Sequence, residues 1–231
     1  MLEARATANE LMDADDLDAA TYSEVLRDLA AVNSLTLARR PTLAFLNRVK
    51  SATSGPLKIL DVGYGDGDML RRIARWAKAS GIDAHLVGID LNPNSAPAAA
   101  RSTPAAMQID YRTGDYADLA GQGWDIILSS LVAHHMTQGQ LIAFLRFMQK
   151  ETRIGWLVND LHRHGFAWRG FPVLARLMRW HPIVRHDGQL SIARSYRPQE
   201  WKPLLEEAGI KRARVFRAFP FRLCVEQIHS S

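Results

Sequence analysis

Residues Lys58–Leu70, KILDVGYGDGDML, decide how the rest of the chain is read. The stretch starts as a strand and ends as a helix. Lys58 to Val62 is a short apolar run holding one carboxylate, Asp61, and Gly63, Gly65 and Gly67 alternate through a turn before Met69 to Trp76 resumes at helical spacing. Glycine takes positive φ there without penalty and lets a ligand lie against the backbone at the amino end of the next helix. A dinucleotide loop, Gly-x-Gly-x-x-Gly, would need a glycine three residues after Gly65, where Asp68 stands.

At 231 residues the chain is long enough for one domain with an elaboration, and 47% hydrophobic against 23% charged content is that of a water-soluble globular protein. Cys224 is the only cysteine, which excludes an intrachain disulfide framework and a cysteine-rich zinc site, so a cytoplasmic location and no metal are expected. The opening MLEARATANELMDADD lacks a basic region followed by an apolar core, and no apolar run approaches the ~20 residues of a membrane span. Charge is uneven: residues 161–231 hold 13 Lys+Arg against 5 Asp+Glu, a net +8, whereas residues 1–160 hold 16 against 19, a net −3. A basic final third serves an anionic substrate, a membrane surface or nucleic acid, or is a solvated face.

Taken in order, residues 1–52 read as a wholly helical extension, with Leu17–Ala31 and Thr42–Val49 as helices and Pro41 suited to a first turn. After the glycine loop, a helix from Met69 to Ser80 stops at Gly81, and HLVGIDLNP is a second strand closing in Asp90. A carboxylate at a strand's carboxyl end, 27 residues beyond Gly63, suits a ribose diol. MQIDYRTGDYADL supplies a third strand, then Gly114-Asp115-Tyr116 in a loop, and WDIILSS a fourth strand followed by LVAHHMT. His134 and His135 are candidate general bases, because imidazole titrates near neutral pH. Gln138–Lys150 is an amphipathic helix, and Gly155–Leu161 a fifth strand that brings Asn159, Asp160, His162 and His164 to the sheet's carboxyl edge.

GFAWRGFPVLARLMRWH, residues 165–181, is apolar and arginine-rich, and reads as a lid insert extending to about residue 190 or as a segment lying on a membrane surface. Arg194 binds an anionic or phenolate group or pairs with an acid. RPQEWKPLLEEAG then gives a helix closed by Gly209, and Lys211–Ala218 with Phe221–Gln227 a final pair of strands.

The acidic residue two before Gly-x-Gly-x-Gly resembles the cofactor loop of class I S-adenosylmethionine-dependent methyltransferases, and the resemblance runs from Leu57 to Gln227. Gly114-Asp115-Tyr116 is similar to the segment where an acid reaches the adenine amino group, and Gly123 to Thr137 is similar to the fourth strand and its continuation. NDLHRH resembles a continuation in a bacterial subgroup near the ubiquinone and menaquinone-biosynthesis type. The resemblance implies an α/β, Rossmann-like sheet of seven mostly parallel strands, the last antiparallel, with helices on both faces. Residues 53–231 would form the methyltransferase domain and residues 1–52 a helical lid. It implies S-adenosyl-L-methionine as cofactor, S-adenosyl-L-homocysteine as product, and cofactor contacts from Asp61, Gly63, Tyr64, Gly65, Gly67, Asp90, Leu91, Gly114, Asp115, Tyr116 and Ser129.

A small aromatic, phenolic or quinone-like acceptor follows from that resemblance and from Phe166, Trp168 and Phe171 in the insert, with His135, His134, Asp160, His162 and Arg194 as catalytic candidates. Two alternatives are a nucleic-acid methyltransferase using the basic third and a non-catalytic cofactor-binding protein. The Asp/Asn-Pro-Pro-aromatic signature of amino-group nucleic-acid methylation is absent, since Ser129-Ser130-Leu131-Val132 stands at its place.

Overall fold

A computed structural model of the protein describes residues 2–14, 17–52 and 55–229. Seven strands form one sheet: β1 (Leu57–Val62), β2 (Ala84–Asp90), β3 (Ile109–Thr113), β4 (Trp124–Ser130), β5 (Thr152–Leu161), β6 (Arg214–Ala218) and β7 (Arg222–Ile228). Their order is β3-β2-β1-β4-β5-β7-β6, with β1 to β5 parallel and β7 antiparallel to both neighbours. The described helices are α1 (Ala19–Leu35), α2 (Arg40–Val49), α3 (Asp68–Ser80), α4 (Ser95–Ser102), α5 (Gln138–Glu151), α6 (Gly165–Leu177), α7 (Pro182–Arg194) and α8 (Pro198–Glu207).

The strands are apolar runs because helices cover both sides of the sheet. Alternate residues part to opposite faces: Leu60, Val62 and Ile127 meet Phe144 and Leu145 of α5 and Trp201 of α8, while Ile59 and Leu128 meet Phe45 and Leu46 of α2 and Leu70 and Ile73 of α3. Strand order reverses at β1, which has β2 on one side and β4 on the other. The carboxyl edge at such a reversal is where open α/β sheets leave a crevice.

A second layer of helices covers that edge. Val25 of α1 packs with Ala175, Trp180 and Val184 from α6, α7 and the turn between them, and Tyr22 and Leu26 pack with Ala98 of α4. The insert therefore folds as two helices, and Gly188 of α7 is needed where it meets Phe171 of α6, whose ring would stand 2.2 Å from an added Cβ.

The extension is not wholly helical. Residues before the short 3-10 turn Leu11–Asp13 run extended, with Ala6 N–H donating to the Ala193 carbonyl at 3.1 Å. The cause lies far away in sequence: Asp187 of α7 accepts the Leu11 and Met12 N–H groups at 2.9 Å each, taking donors that a helix would use. The expected domain boundary at Thr53 lies outside the described residues. Part of the basic final third is interior, because Arg163, Arg194 and Arg222 are all buried.

Gly67 has φ of +75°, and an added Cβ would stand 2.3 Å from the Tyr111 hydroxyl; Gly81, at +65°, has open space around it. Gly81→Ala is expected to lose about 1–2 kcal/mol for the left-handed backbone, and Gly67→Ala a further ~1–3 kcal/mol for the clash. Urea unfolding of both variants checks the difference.

Candidate active site

Under the α1, α6 and α7 cover, at the carboxyl edge of the sheet, lies a cavity of about 1150 Å³. Single-ligand pockets commonly measure ~300–1,000 Å³, so there is room for two molecules side by side. On the β1 to β3 side it is lined by Asp61, Gly63, Tyr64, Gly65, Asp90, Leu91, Gly114 and Tyr116; on the β4, β5 and β7 side by His134, His135, Leu161, His162, Phe221 and Arg222.

On the first side, Asp61 is a buried acid that the protein leaves unsatisfied. It is 1% exposed and its Oδ1 has no hydrogen-bond partner. Burial, reinforced by the charges of Asp90 and Asp68, pushes its pKa up to about 8. A cationic ligand would relieve both problems. Asp90 accepts from Gly65 N–H and Asn92 N–H at 2.9 Å each, which stitches the glycine loop to the end of β2, and it also takes a hydrogen bond from the Ser95 side chain. Tyr22 of α1 reaches Ser95 at 2.9 Å above it. Gly63 (φ +74°) and Gly65 (φ +57°) carry the loop past the cavity with no side chain in the way. The donor set suits S-adenosylmethionine: a buried acid for its α-ammonium group, acceptors on Asp90 for its ribose, and an open glycine backbone between.

Three cofactor candidates fall elsewhere. Gly67 gives room to Tyr111 rather than to the cavity. Asp115 is exposed, and its Oδ1 accepts from the Ala117 N–H at 2.9 Å, capping the 3-10 turn Tyr116–Leu119, while Gly114 and Tyr116 on either side of it line the cavity. Ser129 is buried in β4, and its neighbour Ser130 faces the cavity.

On the second side, His134 Nδ1 lies 2.7 Å from Asp160 Oδ1, and both residues are buried. Burial alone would raise the Asp160 carboxyl, but His134 and the N–H groups of Leu161 and His134 hold it below the usual carboxylate value. Asp160 does not line the cavity; it stands behind His134 and orients it. With Nδ1 donating to Asp160, Nε2 of His134 is left as an acceptor. Glu10, 4% exposed, stands 3.6 Å from that Nε2 and 3.8 Å from Nε2 of His135. His135 Nδ1 meets Asp13 at 3.1 Å. Burial lowers the His135 pKa, yet the bond to Asp13 and the charges of Glu10 and Asp13 outweigh it and raise it.

Glu10, His134 and His135 each offer one atom within 4.8 Å of the others, a spacing that could hold a cation, but Arg194 Nη1 already brings positive charge to 4.0 Å from Glu10. His162 lines the cavity as a neutral imidazole, pulled down to about pKa 4 by burial and the charges of Arg217 and His164. Arg194 is not an acceptor-binding group: its donors go to the Ala8, His134 and His135 carbonyls, tying α7 and the amino-terminal segment to the histidine turn. Glu10, Asp13 and Arg222 are the site residues that the sequence conceals.

Residues 59–155 match a family model described as methyltransferase domain. Among solved structures, human N-acetylserotonin methyltransferase in complex with S-adenosylmethionine is similar over 98% of this chain and 61% of that one, at 16% identity and TM-score 0.66. An S-adenosylmethionine-dependent methyltransferase from Aquifex aeolicus is similar over 91% and 98%, at 16% identity and TM-score 0.61. Magnesium protoporphyrin IX methyltransferase from Synechocystis PCC 6803 with bound S-adenosylhomocysteine is similar over 95% and 91%, at 16% identity and TM-score 0.58. These likenesses establish the class I methyltransferase fold. A search of curated proteins finds no match.

Asp61 carries a stability signature. Its folded pKa of about 8 lies far above that of an ordinary aspartate in water, so the ligand-free protein loses stability as pH rises from about 4 to about 8 and no further above that. Asp61→Asn should flatten that slope and raise the ligand-free Tm at pH 8 by at least about 2–4 °C, the shift per ~1 kcal/mol for a chain of this size. The same variant should bind S-adenosylmethionine about 10- to 150-fold more weakly, from loss of a charge-assisted contact of ~1.5–3 kcal/mol. Thermal melts at pH 5 and 8 and calorimetric titration check the two halves.

Proposed function

From a chain that carries an S-adenosylmethionine-dependent methyltransferase domain, we propose methyl transfer to a hydroxyl of a small aromatic, phenolic or quinone-like acceptor, with His134 as the general base. The observation that carries this is one cavity running from the Asp61, Gly65 and Asp90 loop to the buried His134–Asp160 pair. S-adenosylmethionine, when bound, supplies a methyl group on a sulfonium that an in-line nucleophile displaces, leaving S-adenosylhomocysteine.

The protein's tasks are alignment, exclusion of water and removal of the acceptor's proton. Asp61, Asp90 and the Gly63–Gly65 backbone are the proposed cofactor contacts, with Tyr64, Leu91, Gly114 and Tyr116 beside them. Helix α1 of the amino-terminal extension and the insert are the proposed lid, because α1, α6 and α7 shut the cavity from above, while α2 of the same extension packs on the sheet face. His134 is favoured over His135 as base because it is buried and its tautomer is set by Asp160, whereas His135 is paired to the exposed Asp13. Glu10 stands 3.6 Å beyond Nε2.

An apolar acceptor is supported by Leu35, Phe166, Val173 and Leu177, which are exposed large apolar side chains at the cavity's walls. The cavity is roofed by helices and several basic residues of the final third are internal, which disfavours nucleic acid as acceptor. A second reading concerns only the approach of the acceptor. Exposed Phe166, Val173, Leu177 and Met178 interleave with exposed Arg169, Arg176 and Arg179, a pattern suited to resting on an anionic membrane surface. No described helix is long and apolar enough to cross a membrane. Co-sedimentation with acidic but not neutral vesicles would support that reading.

Calorimetry should show saturable S-adenosylmethionine binding that Asp90→Ala abolishes. In a panel of phenols and hydroquinones scored by S-adenosylhomocysteine release, His134→Gln should slow turnover by about 10²–10⁴-fold while cofactor affinity stays at the wild-type value. Cofactor binding with no turnover across the panel by the wild-type protein would replace the enzyme with a non-catalytic cofactor-binding protein.

A further inference from the structure

Arg222 begins β7 and sits at the wall of the cavity, 1% exposed. A guanidinium has five N–H donors. In this one, Nη2 donates to the Thr36 hydroxyl at 3.2 Å, while Nε and Nη1 have no partner at all. Asp160, whose charge Arg222 feels, spends its oxygens on His134 and on the backbone N–H groups of His134 and Leu161. Burial pulls the Arg222 pKa down to about 10 and leaves it a cation at neutral pH. Removing a charge from water without hydrogen bonds in exchange is among the costliest things a folded chain does. A long cation at a strand end could have snorkelled to solvent, yet this one is held inside, against the same cavity as His134 and His162.

We propose that Arg222 is the recognition site for a carboxylate on the methyl acceptor, one set apart from the hydroxyl that is methylated. The inference rests on the methyltransferase function proposed above and names the acceptor's class: a hydroxylated aromatic acid. Guanidinium favours planar, two-oxygen anions because its paired N–H groups match their geometry. Arg222 is a single positive charge and balances a single negative one, which fits a carboxylate better than a phosphate monoester carrying about −1.5 to −2. The anion belongs away from the reacting oxygen. A guanidinium on that oxygen would hold the lone pair the reaction needs, whereas a remote carboxylate lends binding energy that positions the hydroxyl.

The test is calorimetry with 6-hydroxy-2-naphthoate and its uncharged methyl ester, each titrated into protein saturated with S-adenosylhomocysteine. Wild-type protein should bind the acid at least about 10-fold more tightly than the ester, the lower bound for a charge-assisted contact. Arg222→Met should bind S-adenosylhomocysteine as before, lose the preference for the acid, and melt at a higher temperature than wild type when ligand-free, because an unpaired buried charge has gone. Arg222→Lys, which keeps the charge and loses the two-point geometry, should retain part of the preference. Equal binding of acid and ester, no binding of the acid, or an acid preference that survives in Arg222→Met overturns the assignment. The wild-type comparison stands even if a variant fails to fold. Failure of S-adenosylhomocysteine itself to bind would overturn the cofactor site, and this inference with it; binding of that product without acid preference would overturn this inference alone.

Discussion

Burying an ionisable group without partners for all its polar atoms is costly, and this molecule does so twice within one cavity, at Asp61, whose carboxyl burial holds protonated up to about pH 8, and at Arg222, which stays a cation. Asp61 and Arg222 are each 1% exposed, and each has side-chain atoms with no partner. They lie on opposite sides of the β1–β4 reversal, one at the end of β1 and the other at the start of β7. The rest of the structure keeps them that way. Helices α2 and α3 seal one sheet face and α5 and α8 the other, so neither side chain reaches water by turning round in its strand. A single ligand at each side converts a cost of folding into affinity, which is how a binding site stays preorganised and still discriminates by charge.

Between those two groups the cover is fastened by polar contacts rather than by a second core. Arg194 donates to three carbonyls, Asp187 accepts two amides from the amino-terminal segment, and Arg5 reaches the Arg194, His134 and Met136 carbonyls. These contacts meet at the turn carrying His134 and His135. Position of the base and closure of the cover are therefore set by one network, and Glu10 belongs to both, since its carboxylate accepts from Ser191 of α7 while facing two imidazoles. Such a network is worth more than its pairwise parts, and loosening any member shifts the base as well as the cover.

The cofactor loop was legible in the sequence because it is local. Gly63 and Gly65 need their backbone conformation, Asp61 and Asp90 end neighbouring parallel strands, and strand-to-helix spacing alone implies both facts. Seven mostly parallel strands with helices on both faces were what the family resemblance implied, and the order β3-β2-β1-β4-β5-β7-β6 came with the structure. What the sequence concealed is made by long-range capture. ELMD has a helical composition, yet its amides are taken by Asp187 about 175 residues later. Asp115 read as a ligand for adenine, and a Gly-Asp pair before a tight turn is also a cap, which its Oδ1 makes here. Arg194 and Arg222 are chemically identical in sequence; only the three carbonyls around one and the empty donors of the other tell them apart. A signal for Arg222 did exist. RLCVEQI is a strand that the final hairpin places between two others, so an arginine at its start has little access to solvent.

The division of labour between imidazole and guanidinium follows from what each can give up. His134 has an acceptor nitrogen once Asp160 holds its other side, so it can receive a proton and return it. Arg222 can do neither, since even with burial lowering its pKa to about 10 it remains charged through the neutral range. Its influence is fixed and electrostatic. A fixed cation serves best where the ligand's charge does not change during the reaction, and a titrating group serves where it does. Two residues of these types on the same side of one cavity thus read as a handle and a base, and the span between them sets how far apart the acid and the hydroxyl of an acceptor stand.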